Sequence, residues 1–167
     1  CNTYFTVMTE ESVVRWEVEN VSELNKVMRM SPITFLADLP WHLAVRKQSK
    51  SGESHFTCCL YCNEESDCDL WRVQHERTLG LINREDPNKS VWDKMKTKWY
   101  EKGDDVSGKY LMEFADLMDE SLGFIKDDKV IDEVPIAIKK VEGVRKAQTY
   151  NFKEPSIGWD NVILNIE

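Results

Sequence analysis

"HFTCCLYCNEESDC", residues 55–68, holds four of the five cysteines of the chain. It could form a metal site, a disulfide framework or an ordinary strand, and the choice decides the fold. If residues 55–63 form a β-strand, successive side chains point to opposite faces of the sheet. One face then carries Phe56, Cys58, Leu60 and Cys62, and the other carries His55, Thr57, Cys59 and Tyr61. Cys59 and Cys62, the C-x-x-C pair, therefore point apart and cannot bind one tetrahedral zinc ion.

We interpret Cys58 and Cys62 as buried thiols that fill the core like small apolar side chains. Five cysteines are an odd number, and their clustering favours reduced thiols over the framework of a secreted disulfide scaffold. We therefore predict no structural zinc, no other metal and no cofactor.

Stretches beyond this strand repeat with a period of two. In "VVRWEVEN", residues 13–20, Val14, Trp16 and Val18 alternate with charged side chains, and "LPWHLAVRKQ", residues 39–48, alternates in the same way. The polar stretch "QSKSGE", residues 48–53, predicts a hairpin loop between two of these strands. Several short strands separated by turns predict an all-β fold, an antiparallel β-sandwich.

The C-terminal half adds one different element. "KYLMEFADLMD", residues 109–119, has apolar residues at helical spacing and predicts one short helix or turn, although residue propensity alone also permits a strand. "GFIKDD", residues 123–128, predicts a loop, and "KVIDEVPIAIKK" predicts a final strand. Pro135 lies inside this strand and predicts an edge position or a bulge.

The composition excludes several classes of function. A net charge of −8 disfavours nucleic acid and anionic membranes as partners, because both require a basic surface. No stretch approaches the 18 apolar residues of a membrane span. The three histidines are scattered, and no nucleophile elbow, phosphate-binding loop or zinc-protease motif is present. We therefore predict no catalytic residues, and a protein that is not an enzyme.

Four stretches, "RWEVENVSEL", "SPITFLADLPWHLAVRK", "HFTCCLYCN" and "LMDESLGFIKDDKVIDEVPIAI", resemble the MATH domain, a TRAF-like β-sandwich, over residues 12–138. The tail "YNFKEPSIGWDNVILNIE" resembles the linker and first strand of a BTB domain. The order MATH then BTB is similar to the BATH proteins, which are numerous in nematodes. The resemblance predicts a MATH domain over residues 1–138, a linker over 139–150, and the truncated start of a BTB domain over 151–167.

The resemblance implies a substrate-recognition module of a cullin–RING E3 ubiquitin ligase adaptor. In such proteins the MATH sandwich binds peptide segments of substrate proteins, and the BTB domain forms a homodimer and docks onto the cullin scaffold. A cytoplasmic or nuclear location follows from that role. Two alternatives are a TRAF-like signalling scaffold and a peptide-binding module attached to another domain, such as a deubiquitinase or a meprin. The residues that follow Glu167 would decide among them.

The same resemblance implies the peptide-binding residues, which we carry over by position: His55, Cys59, Tyr61, Arg77, Trp99, Tyr100, Asp104, Asp105, Val106, Gly108 and Lys109. The chain departs from the family at several of them. Two groove positions that are aromatic in well-known MATH adaptors correspond here to Cys59 and to the vicinity of Arg77. The loop that usually reads K-D-W-G-F reads D-D-V-S-G at residues 104–108, without Trp or Phe.

Two adjacent carboxylates, Asp104 and Asp105, take the place of aromatic side chains at the rim of this surface. Charges at a rim mainly set selectivity and association rate. We therefore predict a preference for peptides with Lys or Arg beside small polar residues over acidic or phosphorylated peptides.

Overall fold

A computed structural model of the chain describes residues 5–37, 39–62, 72–101 and 108–143. Within these residues the fold is built from strands with very little helix. The strands are β1 (Phe5–Val18), β2 (Arg29–Met30), β3 (Thr34–Leu36), β4 (Leu39–Lys50), β5 (Glu53–Cys62), β6 (Arg72–Ile82), β7 (Val91–Glu101), β8 (Lys109–Glu113) and β9 (Val130–Glu142). One α-helix, α1 (Phe114–Leu117), follows β8, and single 3₁₀ turns occupy Val21–Glu23, Pro87–Lys89 and Glu120–Leu122.

The strands form two antiparallel sheets that pack face to face, which confirms the predicted sandwich. The first sheet has the order β1-β9-β6-β7, and the second has the order β2-β4-β5-β8 with β3 also paired to β4. Alternate residues of each strand fill the space between the sheets, as the period of two predicts. On β4 and β5 the core residues include Trp41, Leu43 and Leu60, none of which has measurable exposure. Strands β7 and β8 end their sheets and lie on the same side of the sandwich, where they contact each other.

The hairpin between β4 and β5 is tighter than the sequence predicts. The ladder continues to the pair Lys50 and Glu53, so the turn consists of Ser51 and Gly52 alone. Both turn residues have positive φ, 53° and 89°, as a two-residue turn that matches the strand twist requires. The predicted loop over residues 48–53 is therefore mostly strand.

The position of Pro135 corrects a sequence prediction. Strand β9 is not at an edge, because it is paired to β1 on one side and to β6 on the other. Proline lacks the backbone N–H that a central strand normally donates. The ladder to β1 is continuous through the pair Val13 and Pro135, whereas the ladder to β6 has no pair at Val134 or Pro135. The fold therefore accommodates the proline by interrupting one of its two ladders.

The predicted helix over residues 109–119 is also shorter than expected. Residues 109–113 pair with β5 as strand β8, and the helix covers only Phe114–Leu117. Leu111, Phe114 and Leu117 are nonetheless all buried, so the apolar spacing correctly identified the residues that face the core. A strand that passes directly into one helical turn can present this spacing as well as a longer helix.

The predicted loop at residues 123–128 is confirmed and is held by specific contacts. Gly123 has φ +80°, and a Cβ atom there would lie 2.7 Å from Oδ1 of Asn83. Asp127 and Asp128 adopt left-handed backbone conformations. The carboxylate of Asp128 accepts hydrogen bonds from the backbone N–H and the hydroxyl of Ser22, at 2.8 and 2.7 Å.

Strand β9 extends past the predicted C-terminal end of the domain at residue 138. Residues 139–142, which the sequence assigns to the start of a linker, continue strand β9 and pair with β1 and β6. The rest of the predicted linker and the predicted start of a BTB domain, residues 144–167, lie outside the described residues. Among the residues described, no helix has the length and apolar character needed to cross a membrane.

Candidate functional site

The predicted binding residues come from four neighbouring strands. Those described are His55, Cys59 and Tyr61 on β5, Arg77 on β6, Trp99 and Tyr100 on β7, Gly108 directly before β8, and Lys109 on β8. The remaining three, Asp104, Asp105 and Val106, lie outside the described residues. The structure brings some of the described residues together and separates others.

Arg77 is at the centre of the residues that meet. It shares the inward phase of β6 with Leu79, and only 9% of its surface is exposed. Its Nε donates to the Sδ of Met95 at 3.2 Å, and its Nη1 lies 3.1 Å from Nε2 of His75. Because a guanidinium can only donate, this nitrogen of His75 is the acceptor. The His75 ring lies edge-on to Tyr100, with ring centroids 6.2 Å apart. We call Arg77, His75, Met95 and Tyr100 the Arg77 cluster.

A β-bulge in β7 places both Met95 and Tyr100 in this cluster. Arg77 pairs with Met95 and His75 pairs with Lys98, so β7 has one residue more than β6 over this interval. In a regular strand, residues five apart point to opposite faces. The extra residue reverses the phase, and both side chains face inward.

Trp99 lies on the other face of the strand. Its ring is covered by the guanidinium of Arg72 at 4.5 Å and by the ammonium of Lys140 at 5.7 Å. These contacts are on the outer face of the first sheet, whereas Tyr100 is only 3% exposed in the core. Of the two aromatic residues that the sequence offered for the site, Tyr100 therefore belongs to the Arg77 cluster and Trp99 does not.

Cys59 lies at the edge of the cluster but is itself buried, with 3% of its surface exposed. Its Sγ donates to the carbonyl of Ala44 at 3.5 Å. Burial raises the pKa of the Cys59 thiol to about 11, against the lowering effects of a hydrogen bond with Tyr61 and of the charges of Arg46 and Arg77. Because the thiolate is the reactive form, Cys59 is a packing residue and not a nucleophile. Its position on the outer face of β5 predicts an accessible side chain, but the structure shows a buried one.

The start of β8 passes close to β5 and brings Lys109 beside β7. A Cβ atom on Gly108 would lie 2.6 Å from Cγ2 of Thr57 and 3.9 Å from Cβ of Cys59, so this approach requires glycine. Nζ of Lys109 lies 3.7 Å from Oδ2 of Asp93 on β7. This ion pair joins the two edge strands, β7 and β8, beside the Arg77 cluster.

His55 and Tyr61 lie apart from each other. They are six residues apart on one strand, a separation of roughly 20 Å. The ring of His55 contacts Tyr110, with centroids 5.4 Å apart, and the hydroxyl of Tyr61 donates to Sδ of Met28 at 3.2 Å. A ligand that touches both would have to extend along the length of β5.

One group of described residues has the donors and spacing of a metal site. Ligand atoms of Glu53, His55 and Glu113 all lie within 4.8 Å of one another on β5 and β8. Both carboxylates are exposed, and exposed acidic groups commonly lie this close without binding an ion. The absence of a metal therefore stays a prediction. For the C-x-x-C pair, Cys62 faces Trp41 in the core and Cys59 pairs with Ala44 on the opposite face, as predicted.

A buried polar pair in the core was not recognised from the sequence. Sγ of Cys58 on β5 donates to Oδ2 of Asp132 on β9 at 2.8 Å, across the space between the sheets. Burial raises the pKa of Asp132 to about 7. Burial and the nearby carboxylate of Asp132 raise the pKa of the Cys58 thiol well above its ordinary value. A signal existed, because Asp132 shares the inward phase of Val134 and Ile136 in an otherwise apolar strand.

Comparison with known proteins places this geometry in a known group. The profile of the MATH domain matches residues 13–136. The chain is 22% identical over 145 residues to BTB and MATH domain-containing protein 38 of Caenorhabditis elegans, and the match covers 85% of this chain and 37% of that protein. It is 23% identical over 161 residues to BTB and MATH domain-containing protein 36 of the same organism, covering 92% and 49%. The chain therefore spans at most about half the length of these two relatives.

Two further proteins resemble the chain over shorter shares. Ubiquitin carboxyl-terminal hydrolase 7 of Drosophila melanogaster is 24% identical over 135 residues, which are 80% of this chain and 12% of that protein. Among solved structures, TRAF5 of Notothenia coriiceps superposes with a TM-score of 0.47 at 12% identity, covering 74% of this chain and 72% of that one.

Proposed function

This chain belongs to the MATH domain family, and from that premise we propose that it is the substrate-recognition module of a cullin–RING ubiquitin ligase adaptor. A MATH domain is a protein-interaction domain, so the chain has a binding role and we assign it no catalytic residues. It binds extended segments of target proteins. In the complete protein a BTB domain forms the homodimer and docks onto the cullin. This activity belongs to the cytoplasm, the nucleus or both.

The profile match over residues 13–136 carries the proposal. It is supported by two relatives whose names combine BTB with MATH, each of which extends well beyond the matched region. The geometry is also suitable, because β7 and β8 are the end strands of their sheets and lie beside each other. An extended peptide can hydrogen-bond to such an edge through its main chain, while side-chain pockets give selectivity.

The test uses the complete natural protein that contains this chain. It should form a stable complex with the purified N-terminal region of a cullin in analytical ultracentrifugation. In a reconstituted reaction with that cullin and its RING partner, it should also increase ubiquitin transfer to a bound substrate. A complete protein that neither binds any cullin nor promotes transfer would contradict the proposal.

A second candidate function is a recognition module within a deubiquitinase. The match to ubiquitin carboxyl-terminal hydrolase 7 favours it, because that match includes 80% of this chain. A fluorogenic ubiquitin substrate separates the two functions. The adaptor should release no fluorophore, whereas hydrolysis by the complete protein, abolished by a ubiquitin-aldehyde inhibitor, would establish the deubiquitinase assignment.

A further inference from the structure

Arg77 is a buried cation without a carboxylate partner among the described residues. Arginine is rarely this buried unless it is paired, because removing its charge from water is costly. Three arginines that are more exposed nevertheless each pair with a carboxylate: Arg15 with Glu133, Arg72 with Glu142 and Arg84 with Glu17. The partners of Arg77, a thioether and an imidazole, carry no negative charge to offset its burial.

Asp132 is the buried carboxylate to consider first, and it does not neutralise Arg77. Its Oδ2 accepts from Cys58, and its Oδ1 has no hydrogen-bond partner in the described part of the chain. A carboxyl group that is paired with a guanidinium has a lowered pKa. The pKa of Asp132 is instead raised, by burial, and burial also lowers the pKa of Arg77. Neither group therefore has an oppositely charged partner among the described residues.

The guanidinium also keeps an unused donor face. Of its five N–H donors, one on Nε and one on Nη1 are used within the Arg77 cluster. Nη2 has no hydrogen-bond partner among the described residues and is not one of the buried unpartnered atoms. It therefore reaches the surface, and a ligand can approach two N–H groups of a cation that is otherwise desolvated.

The surroundings favour an anion at this position. Met95, Tyr100 and Cys59 give a low-dielectric wall, in which a charge-assisted hydrogen bond is stronger than in water. The nearby carboxylate of Asp93 lies 3.7 Å from Nζ of Lys109, and this ion pair offsets the negative charge of Asp93. The free Nη2 of the guanidinium can donate a charge-assisted hydrogen bond to a carboxylate oxygen.

We propose that Arg77 is a specificity-determining residue that binds an aspartate or glutamate side chain of the captured peptide segment. This inference rests on the proposed function, since it names the class of peptide that the same site takes. The preference for Lys or Arg was predicted from Asp104 and Asp105, which lie outside the described residues. The acidic requirement concerns one peptide position only, so both features can occur in one ligand.

The experiment begins with a displayed library of random twelve-residue peptides, selected on the full 167-residue chain. We expect the selected peptides to be enriched in Asp or Glu at one position. In a synthetic peptide from this pool, replacing that acid with its amide should weaken binding to the wild type by about tenfold, the loss typical of one charge-assisted hydrogen bond. The same replacement should change the affinity of Arg77→Met by less than about twofold.

Two more variants serve as controls for the role of Arg77. Arg15→Met makes the same chemical change on an arginine that is exposed and paired with Glu133, and it should behave as the wild type. Arg77→Lys keeps the charge but not the planar guanidinium that places Nη2, and it should show an intermediate loss. Thermal melts of all variants establish that each is folded at the assay temperature.

The outcomes separate this inference from the function on which it rests. If no peptides are selected, peptide capture itself is wrong and the inference falls with it. If peptides are selected without acidic enrichment, or if Arg77→Met discriminates acid from amide as strongly as the wild type, the role of Arg77 is wrong and peptide capture stands. A phosphoserine in place of the acid that binds more than about tenfold tighter would reassign the site from carboxylate to phosphate.

Discussion

The buried carboxyl of Asp132 makes a quantitative prediction about stability. Burial raises its pKa from the ordinary 3.8 to about 7, against the lowering effect of the hydrogen bond from Cys58. Each pKa unit corresponds to about 1.4 kcal/mol, so a difference of about three units is worth about 4 kcal/mol. We expect Asp132→Asn, which keeps the size and an acceptor for Cys58 but cannot ionise, to remove this dependence on pH.

The sign follows from proton linkage. Because the folded state binds the Asp132 proton more tightly than the unfolded state, the free energy of unfolding contains a contribution that is fully present below about pH 4. It is lost as the pH rises from about 4 to about 7, and it is constant above that range. Relative to the wild type, the Asn variant should therefore gain about 4 kcal/mol between pH 4 and pH 8. The Cys58 thiol does not contribute, because its pKa lies well above this window.

Urea unfolding at pH 4, 5, 6, 7 and 8, followed by tryptophan fluorescence, measures this difference. All other titrating groups are common to both proteins and cancel in the comparison. Asp116→Asn makes the same chemical change at an exposed position on α1, and its difference from the wild type should not vary with pH in this way. If the free energies of unfolding of the wild type and Asp132→Asn differ by the same amount at every pH from 4 to 8, the Asp132 carboxyl is not buried from water and the reasoning is wrong.

Three further predictions follow from single positions. Gly123→Ala should lower the free energy of unfolding by about 1–3 kcal/mol, because φ is +80° and the new methyl group meets Oδ1 of Asn83. Urea unfolding measures this loss, and an unchanged midpoint would contradict it. Arg77→Met without peptide should melt at or above the wild-type temperature, because it removes an uncompensated buried charge; a large loss in calorimetry would mean that Arg77 is structural. Purified protein should contain no stoichiometric zinc by elemental analysis, and a chelator should leave its melting temperature unchanged, because Cys59 and Cys62 point apart.

The sequence predicts the sandwich because the period of two survives in nearly every long strand. Trp41, Leu43 and Val45 face the core as their alternation indicates, and so does Cys58 on the neighbouring strand. This pattern is local, and it depends only on which residues share a face. Pro135 shows the limit of such reasoning: its effect depends on which strands lie beside β9, and neighbours in a sheet are set by the whole topology.

The candidate site depends on backbone detail that alternation does not show. The structure brings Arg77 and Tyr100 into one cluster, whereas the sequence left open whether Trp99 or Tyr100 lies at the site. That choice depends on one extra residue in β7, which no side-chain pattern shows. Cys59 was assigned to an exposed face from its phase, yet the close approach of the chain at Gly108 helps to bury it. Both points depend on irregular backbone, where simple alternation ceases to apply.

The extra residue in β7 also gives this strand a second possible register. Because β7 is an edge strand, only one of its two backbone edges pairs with another strand of the sheet, so a shift of the bulge would have to break only one ladder. If the bulge moved past Tyr100 towards Glu101, Trp99 would pair with Val73 and face inward, and Tyr100 would face the solvent. One backbone shift would thus exchange a phenol for an indole beside Arg77, so the chain could present two recognition chemistries without a single substitution.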